Sequence, residues 1–180
     1  MVDIRPHRKG EKFEELPMDK FAEHTRAFVK VEDGCNRRCA YCVIPRARGP
    51  VRSRDETSVL EELRRLADAG YKEVVLTAIS LPSYGTDSGT SLVELIEKAA
   101  EVPGIERIRL GSLDPDMLHD DDIRRIAAVK KLCPQFHLSL QSGCDKTLRA
   151  MRRPYTTAQY ADIAAKLRAA FCADNVSFTT

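Results

Sequence analysis

The chain has 180 residues, 43% hydrophobic and 31% charged. That mixture excludes a disordered polymer and a membrane-embedded one, and the length suffices for one ordinary domain with its own core. Lys and Arg total 29 against 27 acidic residues, and a net charge of +2 neither requires nor excludes a nucleic-acid partner.

No run approaches the roughly 18 apolar residues of a membrane span, and the first 30 residues are densely charged with no apolar stretch. Neither a membrane partner nor a signal peptide is expected. Six cysteines in such a chain point to a reducing, cytoplasmic compartment and to metal or redox chemistry rather than disulfides.

Residues 1–26 carry twelve charges and little apolar period, and read as a charged linker or tail. The domain then runs from 27 to 180. Ala27 to Glu32 alternates apolar and polar, as a half-buried strand does. Residues 35–56 have no periodicity and read as a long loop, which in a compact domain is functional or disordered. Ser58 with Glu61 has the form of a capping box, Val59, Leu60, Leu63, Leu66 and Ala67 form one helical face, and Gly70 stops that helix.

Glu73 to Ala78 is a β-branched apolar run, hence a buried strand. Ser91 with Glu94 caps a second helix whose stripe is Leu92, Leu95, Ile96 and Ala99, ended by Pro103-Gly104. Ile105 to Leu110 is a third strand, Asp121 to Leu132 a third helix and Phe136 to Leu140 a fourth strand. Thr156 with Gln159 opens a long helix with Tyr160, Ile163, Ala164, Leu167 and Phe171 on one face. From Val176 a fifth strand begins, inside which the chain stops.

Strand and helix in regular alternation predict a parallel sheet with right-handed crossovers, either doubly wound or an arc of a β/α barrel. No G-x-G-x-x-G follows the first strand, which disfavours the doubly wound nucleotide-binding form. The fold class expected is α/β, a partial (β/α) barrel truncated within its fifth strand.

Cys35, Cys39 and Cys42, in C-x3-C-x2-C spacing directly after the first strand, carry the chemistry. Three thiolates so close suit a cubane iron–sulfur cluster with one iron open to an exogenous ligand. A structural zinc site wants four closed ligands. The alternative is a zinc knuckle borrowing His24 or His137, neither of which has local ligand spacing. Cys133 and Cys172 read as small core residues, and Cys144 as a distant candidate for the site.

Between Cys35 and Arg54 lie six arginines (Arg37, Arg38, Arg46, Arg48, Arg52, Arg54) and no acid. They are either a solvated charge run or a phosphate-binding face, since arginine binds phosphate bidentately and stacks on bases.

The triplet, with aromatic Tyr41 just before Cys42, resembles the signature of the radical S-adenosylmethionine enzymes. Several segments narrow the likeness to the methylthiotransferases: Phe28 through Asn36, Pro45 through Gly49, Leu76-Thr77 through Tyr84-Gly85, Leu138 through Asp145 and Met151 through Thr157. Gly49 through Arg54 and Arg107 through Pro115 are most like the branch acting on N6-threonylcarbamoyladenosine of tRNA.

The resemblance implies a 4Fe-4S cluster on the three cysteines and S-adenosylmethionine on its open iron. It implies an adenosyl radical that takes hydrogen from C2 of a modified adenine beside the anticodon, where a methylthio group is installed. A ribosomal-protein side chain is the alternative substrate, and a non-enzymatic iron–sulfur or zinc module the alternative function.

By the same resemblance Ala78 and Ser80 lie at the amino end of S-adenosylmethionine, Tyr41 flanks its adenine and Gln141-Ser142 contacts it. Tyr41 as plain core and Gln141-Ser142 as plain turn chemistry are equally open. Arg153 meets a carboxylate or a phosphate, or is a helix-end cation. Arg46, Arg48, Arg52 and Arg54 meet RNA phosphate.

Ala78 stands where the branch has glycine, a departure that leaves the substrate open. The implied partners are tRNA, an electron donor such as flavodoxin or ferredoxin, and a sulfur source. The family also has an N-terminal domain with a second 4Fe-4S cluster and a small C-terminal RNA-gripping barrel. This sequence matches neither, so a piece of a longer protein, weak or inactive in methylthiolation alone, is expected.

Overall fold

The computed structural model describes residues 7, 8, 10–15, 25–171 and 176–180. In chain order its elements are β1 (Ala27–Lys30), β2 (Glu32–Asp33), α1 (Ile44–Ala47), β3 (Arg52–Ser53), α2 (Glu56–Asp68), β4 (Glu73–Thr77), α3 (Leu92–Ala100), β5 (Arg107–Leu110), β6 (Ser112–Leu113), α4 (Asp120–Ala127), β7 (Gln135–Leu138), α5 (Asp145–Ala150), α6 (Thr157–Ala170) and β8 (Ser177–Thr179). Short 3-10 turns lie at Leu81–Ser83 and Pro115–Met117.

The sheet settles the choice between the two parallel architectures. β1 pairs with β4 and β4 with β5, all parallel, and β6 pairs with β7 and β7 with β8, again parallel. A parallel bridge from Ile108 to Leu132 joins the two groups. The strands therefore run across the sheet in sequence order, without the reversal that defines a doubly wound sheet. This is an arc of a β/α barrel.

β5 and β6 are one strand broken at Gly111. Leu110 and Leu113 are both buried while Ser112 between them is exposed, so two residues occupy a step that alternation gives to one. The Gly111 N–H still reaches the Leu76 carbonyl at 2.8 Å, keeping the bulge in the sheet.

Burial follows the pleat. Ala27, Val29, Val74, Leu76, Ile108, Leu110, Phe136 and Leu138 lie on the face covered by helices. Beyond it, α2 packs on β1 and α3, α3 on β5 and α4, and α4 on α6. Each fully buried Leu, Ile or Val contributes about 1.5–3 kcal/mol. The alternate positions, such as Phe28, Arg109 and His137, are more open.

Helix starts follow their caps. The Ser91 hydroxyl accepts from the Glu94 amide at 3.2 Å and the Glu94 carboxylate accepts from the Ser91 amide at 3.2 Å. Thr156 and Gln159 do the same at 3.2 and 2.8 Å. The expected box at Ser58 is not formed. α2 begins earlier, capped by Asp55, which accepts from the Ser58 amide at 3.2 Å. The Ser58 hydroxyl instead donates to Glu15 at 2.7 Å and accepts from Arg54.

α4 stops at Ala127 rather than Leu132, because Lys131 to Cys133 are drawn into hydrogen bonds with Ile108. α5 is unforeseen: six residues with one buried side chain, Leu148, make no periodic stripe. Residues 10–15 are not a free tail. Phe13 lies under Lys30 Nζ, 5.5 Å from the ring centroid, and Glu15 meets Ser58. His24 and Cys172 lie outside the described residues.

Candidate cofactor site at the carboxyl ends of the strands

The loop expected to be structureless is folded back on itself. After β1 the chain leaves the main sheet at Val31, and β2 pairs antiparallel with β3, Glu32 opposite Ser53. The Arg54 amide donates to the Val31 carbonyl at 2.8 Å and the Cys35 amide to the Gly49 carbonyl at 3.0 Å. The cysteines therefore leave from a closed hairpin rather than from a free strand end.

Gly34 makes the closure possible. Its φ is +84°, and a Cβ there would stand 2.0 Å from the Pro50 carbonyl oxygen. Gly34→Ala is expected to cost at least about 2 kcal/mol, from the left-handed backbone and the overlap together. Thermal unfolding and iron uptake of the variant measure it, and both should fall.

Cys35 is buried and Cys39 and Cys42 are half-buried. Burial pushes the Cys35 thiol up, opposed by the Arg37 amide that donates to its sulfur at 3.4 Å. Among the described residues no three His, Cys, Asp or Glu side chains gather about a single ion. In a cubane each thiolate ligates a different iron, so its sulfurs lie farther apart than the ligands of one ion. The donor set, three thiols within eight residues, fits such a cluster. His137, the described zinc candidate, has Nδ1 at 3.0 Å from Thr179 Oγ1 on β8.

Around the cysteines the strand ends converge in one polar network. Arg153 Nη1 donates to Cys39 Sγ at 3.3 Å, its Nη2 to Asp114 Oδ1 at 2.8 Å and its Nε to the Tyr155 hydroxyl at 3.0 Å. Asp114 Oδ2 accepts from the Ser80 hydroxyl at 3.2 Å and lies 3.5 Å from Arg37 Nε. Arg37 Nη2 donates to Asp116 at 2.6 Å. The Ser80 amide donates to Glu32 Oε2 at 3.0 Å. Tyr155 donates to the carbonyls of Ser139 and Leu140, beyond β7.

The structure thus brings Cys39, Ser80 and Arg153 together. Ala78 is partly buried against the hydrophobic core, and Tyr41 is 53% exposed. Gln141 is exposed, with a left-handed φ of 64°, an uncommon conformation for a non-glycine residue that marks a constrained turn. The Ser142 hydroxyl accepts from the Cys144 amide at 3.2 Å. Sequence reading missed Glu32, Asp116 and Tyr155 and gave Asp114 no role. Their signal was only position: Glu32, Asp114 and Asp116 lie at or near a strand end, and Tyr155 in the turn between α5 and α6.

The arginine reading needs correction. Arg46 is exposed, and Arg48 is half-exposed beside Asp33 at 3.3 Å. Arg52 and Arg54 are buried. Arg52 donates to the Arg48 and Pro50 carbonyls, and Arg54 is ion-paired with Glu62. These two hold the hairpin and α2, and their side chains leave little surface open to RNA. A cavity of about 1400 Å³ adjoins the loop at Asn36, but in its lining Glu11, Glu15, Asp55, Glu56, Asp87 and Glu94 outnumber Lys12, Arg54 and Lys98, a poor match for phosphate.

A parallel barrel arc with a three-cysteine loop at its carboxyl mouth defines the class by fold: a partial β/α barrel, the architecture whose functional residues gather at the carboxyl ends of the strands. The chain belongs to the radical SAM superfamily, whose profile matches residues 29–180.

It is 43% identical over 157 residues to the threonylcarbamoyladenosine tRNA methylthiotransferase of Chlamydia pneumoniae, covering 87% of this chain and 37% of that protein. It is 41% identical over 146 residues to the tRNA-2-methylthio-N(6)-dimethylallyladenosine synthase of Oleidesulfovibrio alaskensis, covering 79% of this chain and 32% of that one. The chain thus spans about a third of the length of these relatives.

Among solved structures it resembles the radical S-adenosylmethionine methyltransferase TsrM of Kitasatospora setae, with cobalamin and a [4Fe-4S] cluster bound. The TM-score is 0.66 at 16% identity, covering 81% of this chain and 29% of that one. Methylornithine synthase gives a TM-score of 0.57 at 19% identity, covering 81% and 41%. No helix among the described residues is long and apolar enough to cross a membrane.

Proposed function

We propose that this chain is the radical core of a tRNA methylthiotransferase that modifies C2 of N6-threonylcarbamoyladenosine beside the anticodon. The observation that carries this reading is the C-x3-C-x2-C loop, folded back by the β2–β3 hairpin onto the carboxyl mouth of a parallel barrel arc. Cys35, Cys39 and Cys42 would hold a 4Fe-4S cluster. Bound there, the cluster would supply the electron that splits S-adenosylmethionine into methionine and the adenosyl radical, which takes hydrogen from C2.

The remaining work belongs to this chain's own groups. Ala78 to Ser80 present the strand edge at the mouth, and Ser80 is fixed there by Glu32 and Asp114. Tyr41 offers an exposed ring for an adenine to stack on. Gln141 and Ser142, in the turn beyond β7, would contact S-adenosylmethionine. Arg46 and Arg48 remain as the arginines of the phosphate reading that reach solvent. tRNA, an electron donor and a sulfur source complete the reaction, with a second cluster expected in the part of the relatives that this chain does not span.

Anaerobic reconstitution tests the reading. The chain should take up about four iron and four sulfide, and S-adenosylmethionine should alter the electron paramagnetic resonance spectrum of its reduced cluster. Replacing the three cysteines with alanine should abolish both. A spectrum indifferent to S-adenosylmethionine overturns the proposal. Nucleoside mass spectrometry of cells lacking the gene then assigns the substrate. Loss of the methylthio group from threonylcarbamoyladenosine supports this reading, and loss from the dimethylallyl nucleoside, or from a ribosomal protein, replaces it.

A further inference from the structure

Arg153 lies 114 residues beyond Cys39 in the chain, yet its Nη1 stands 3.3 Å from the Cys39 sulfur. The approach is built from several independent devices. α5 ends at Ala150 with Met151 as its cap, and Arg152 adopts a left-handed φ of 57°. The Arg153 amide then returns to the Leu148 carbonyl at 2.9 Å. A non-glycine residue in that conformation persists only where its surroundings over-determine it. The turn throws Arg153 inward, where its side chain is only 5% exposed. The Ala40 amide donates to the Met151 carbonyl at 3.0 Å, so backbone and side chain both tie this turn to the cysteine loop.

The guanidinium is itself fixed on two further sides. Asp114 holds Nη2 from the end of β6, and Tyr155 holds Nε while its own hydroxyl is anchored on the carbonyls beyond β7. Tyr155 also lies beneath the cation, with the guanidinium carbon 5.2 Å from the ring centroid. A planar fork with three different acceptors has a fixed orientation, which a lysine cannot reproduce.

We propose that Arg153 is a positioning residue for the cofactor. Braced by Asp114 and Tyr155, it donates a charged hydrogen bond to Cys39 and sets that sulfur's place and electron density when the cluster binds. The proposal rests on the cluster reading above. Groups that hydrogen-bond to metal ligands orient them, and donors to ligand sulfurs set a cluster's potential. A cationic donor favours the reduced, more negative cluster.

The test compares the wild-type chain with Arg153→Lys and Arg153→Met. Three quantities are read: iron affinity in anaerobic reconstitution, the cluster's midpoint potential by redox titration, and amide hydrogen exchange at Ala40 in the metal-free chain. Both variants are expected to bind iron about 10- to 100-fold more weakly, and their clusters to titrate at a more negative potential. Arg153→Met should also expose Ala40 to exchange, while Arg153→Lys, which keeps a cation for Asp114, should remain folded.

A merely structural role would move exchange but not the potential of the folded lysine variant, and that result overturns the proposal. Unchanged affinity and potential in both variants overturn it as well, with the cluster reading intact. A wild-type chain that takes up no cluster overturns both.

Discussion

Arg54→Met is expected to lower the unfolding midpoint of this chain by about 10 °C, and adding Glu62→Leu is expected to recover most of the loss. The Arg54 and Glu62 side chains are each 5% exposed and directly paired. The remaining guanidinium donors go to the Ser58 hydroxyl at 3.0 and 3.1 Å. Deleting only the cation leaves a carboxylate in the space between β3 and α2 with neither water nor partner, which costs about 3–5 kcal/mol. A chain of this size loses roughly 2–4 °C of midpoint per kcal/mol.

Replacing both partners with apolar groups removes the stranded charge, and well-packed apolar replacements of buried pairs are commonly neutral or better. Circular dichroism melts at low and high salt check the assignment, because a buried pair responds little to ionic strength. Arg46→Ala, at an exposed position, should leave the stability within about 0.5 kcal/mol of the original. The contrast separates the arginines that hold the loop together from those open to phosphate, a division that their clustering in the sequence conceals.

That concealment marks the limit of what the chain alone reveals. The strands and the stripes of α2, α3 and α6 were legible because burial of one face imposes a period, and a period survives in one dimension. The cysteine triplet was legible because its three residues lie close together in the sequence. Arg54 was not, because its partner is eight residues away on another element. Arg153 was legible as a cation and illegible as a neighbour of Cys39, since only the converging strand ends bring them together.

The Gly111 bulge was equally hidden: a glycine followed by Ser-Leu does not announce a register step until β4 and β7 are seen to pair on its two sides. Ser58 failed as a cap for a local reason. Asp55, three residues earlier, is the stronger acceptor, and it also carries a charge suited to a helix amino terminus.

Glu32 supplies the second large effect, a loss of stability across neutral pH. The residue is fully buried at the end of the hairpin's first strand. Oε2 accepts from Ser80, while Oε1 has no partner among the described residues. Burial pushes its carboxyl up to about 7 from an ordinary 4.5, with the neighbouring Asp33 charge acting in the same direction and the Ser80 amide against it. Between those two values the folded chain keeps the proton and the unfolded chain has released it, so the folded state binds more protons and stability falls as pH rises. The penalty is absent below about 4.5 and complete above about 7.

At 1.36 kcal/mol per pH unit this amounts to about 3 kcal/mol. Glu32→Gln keeps an acceptor for Ser80 and abolishes the titration. Its unfolding midpoint should match the wild type near pH 5 and exceed it by several degrees at pH 8. Because all other groups titrate alike in the two proteins, the difference between their curves isolates this carboxyl. Parallel curves from pH 5 to 8 would show that Glu32 ionises freely and that its unpaired oxygen is not sealed from water.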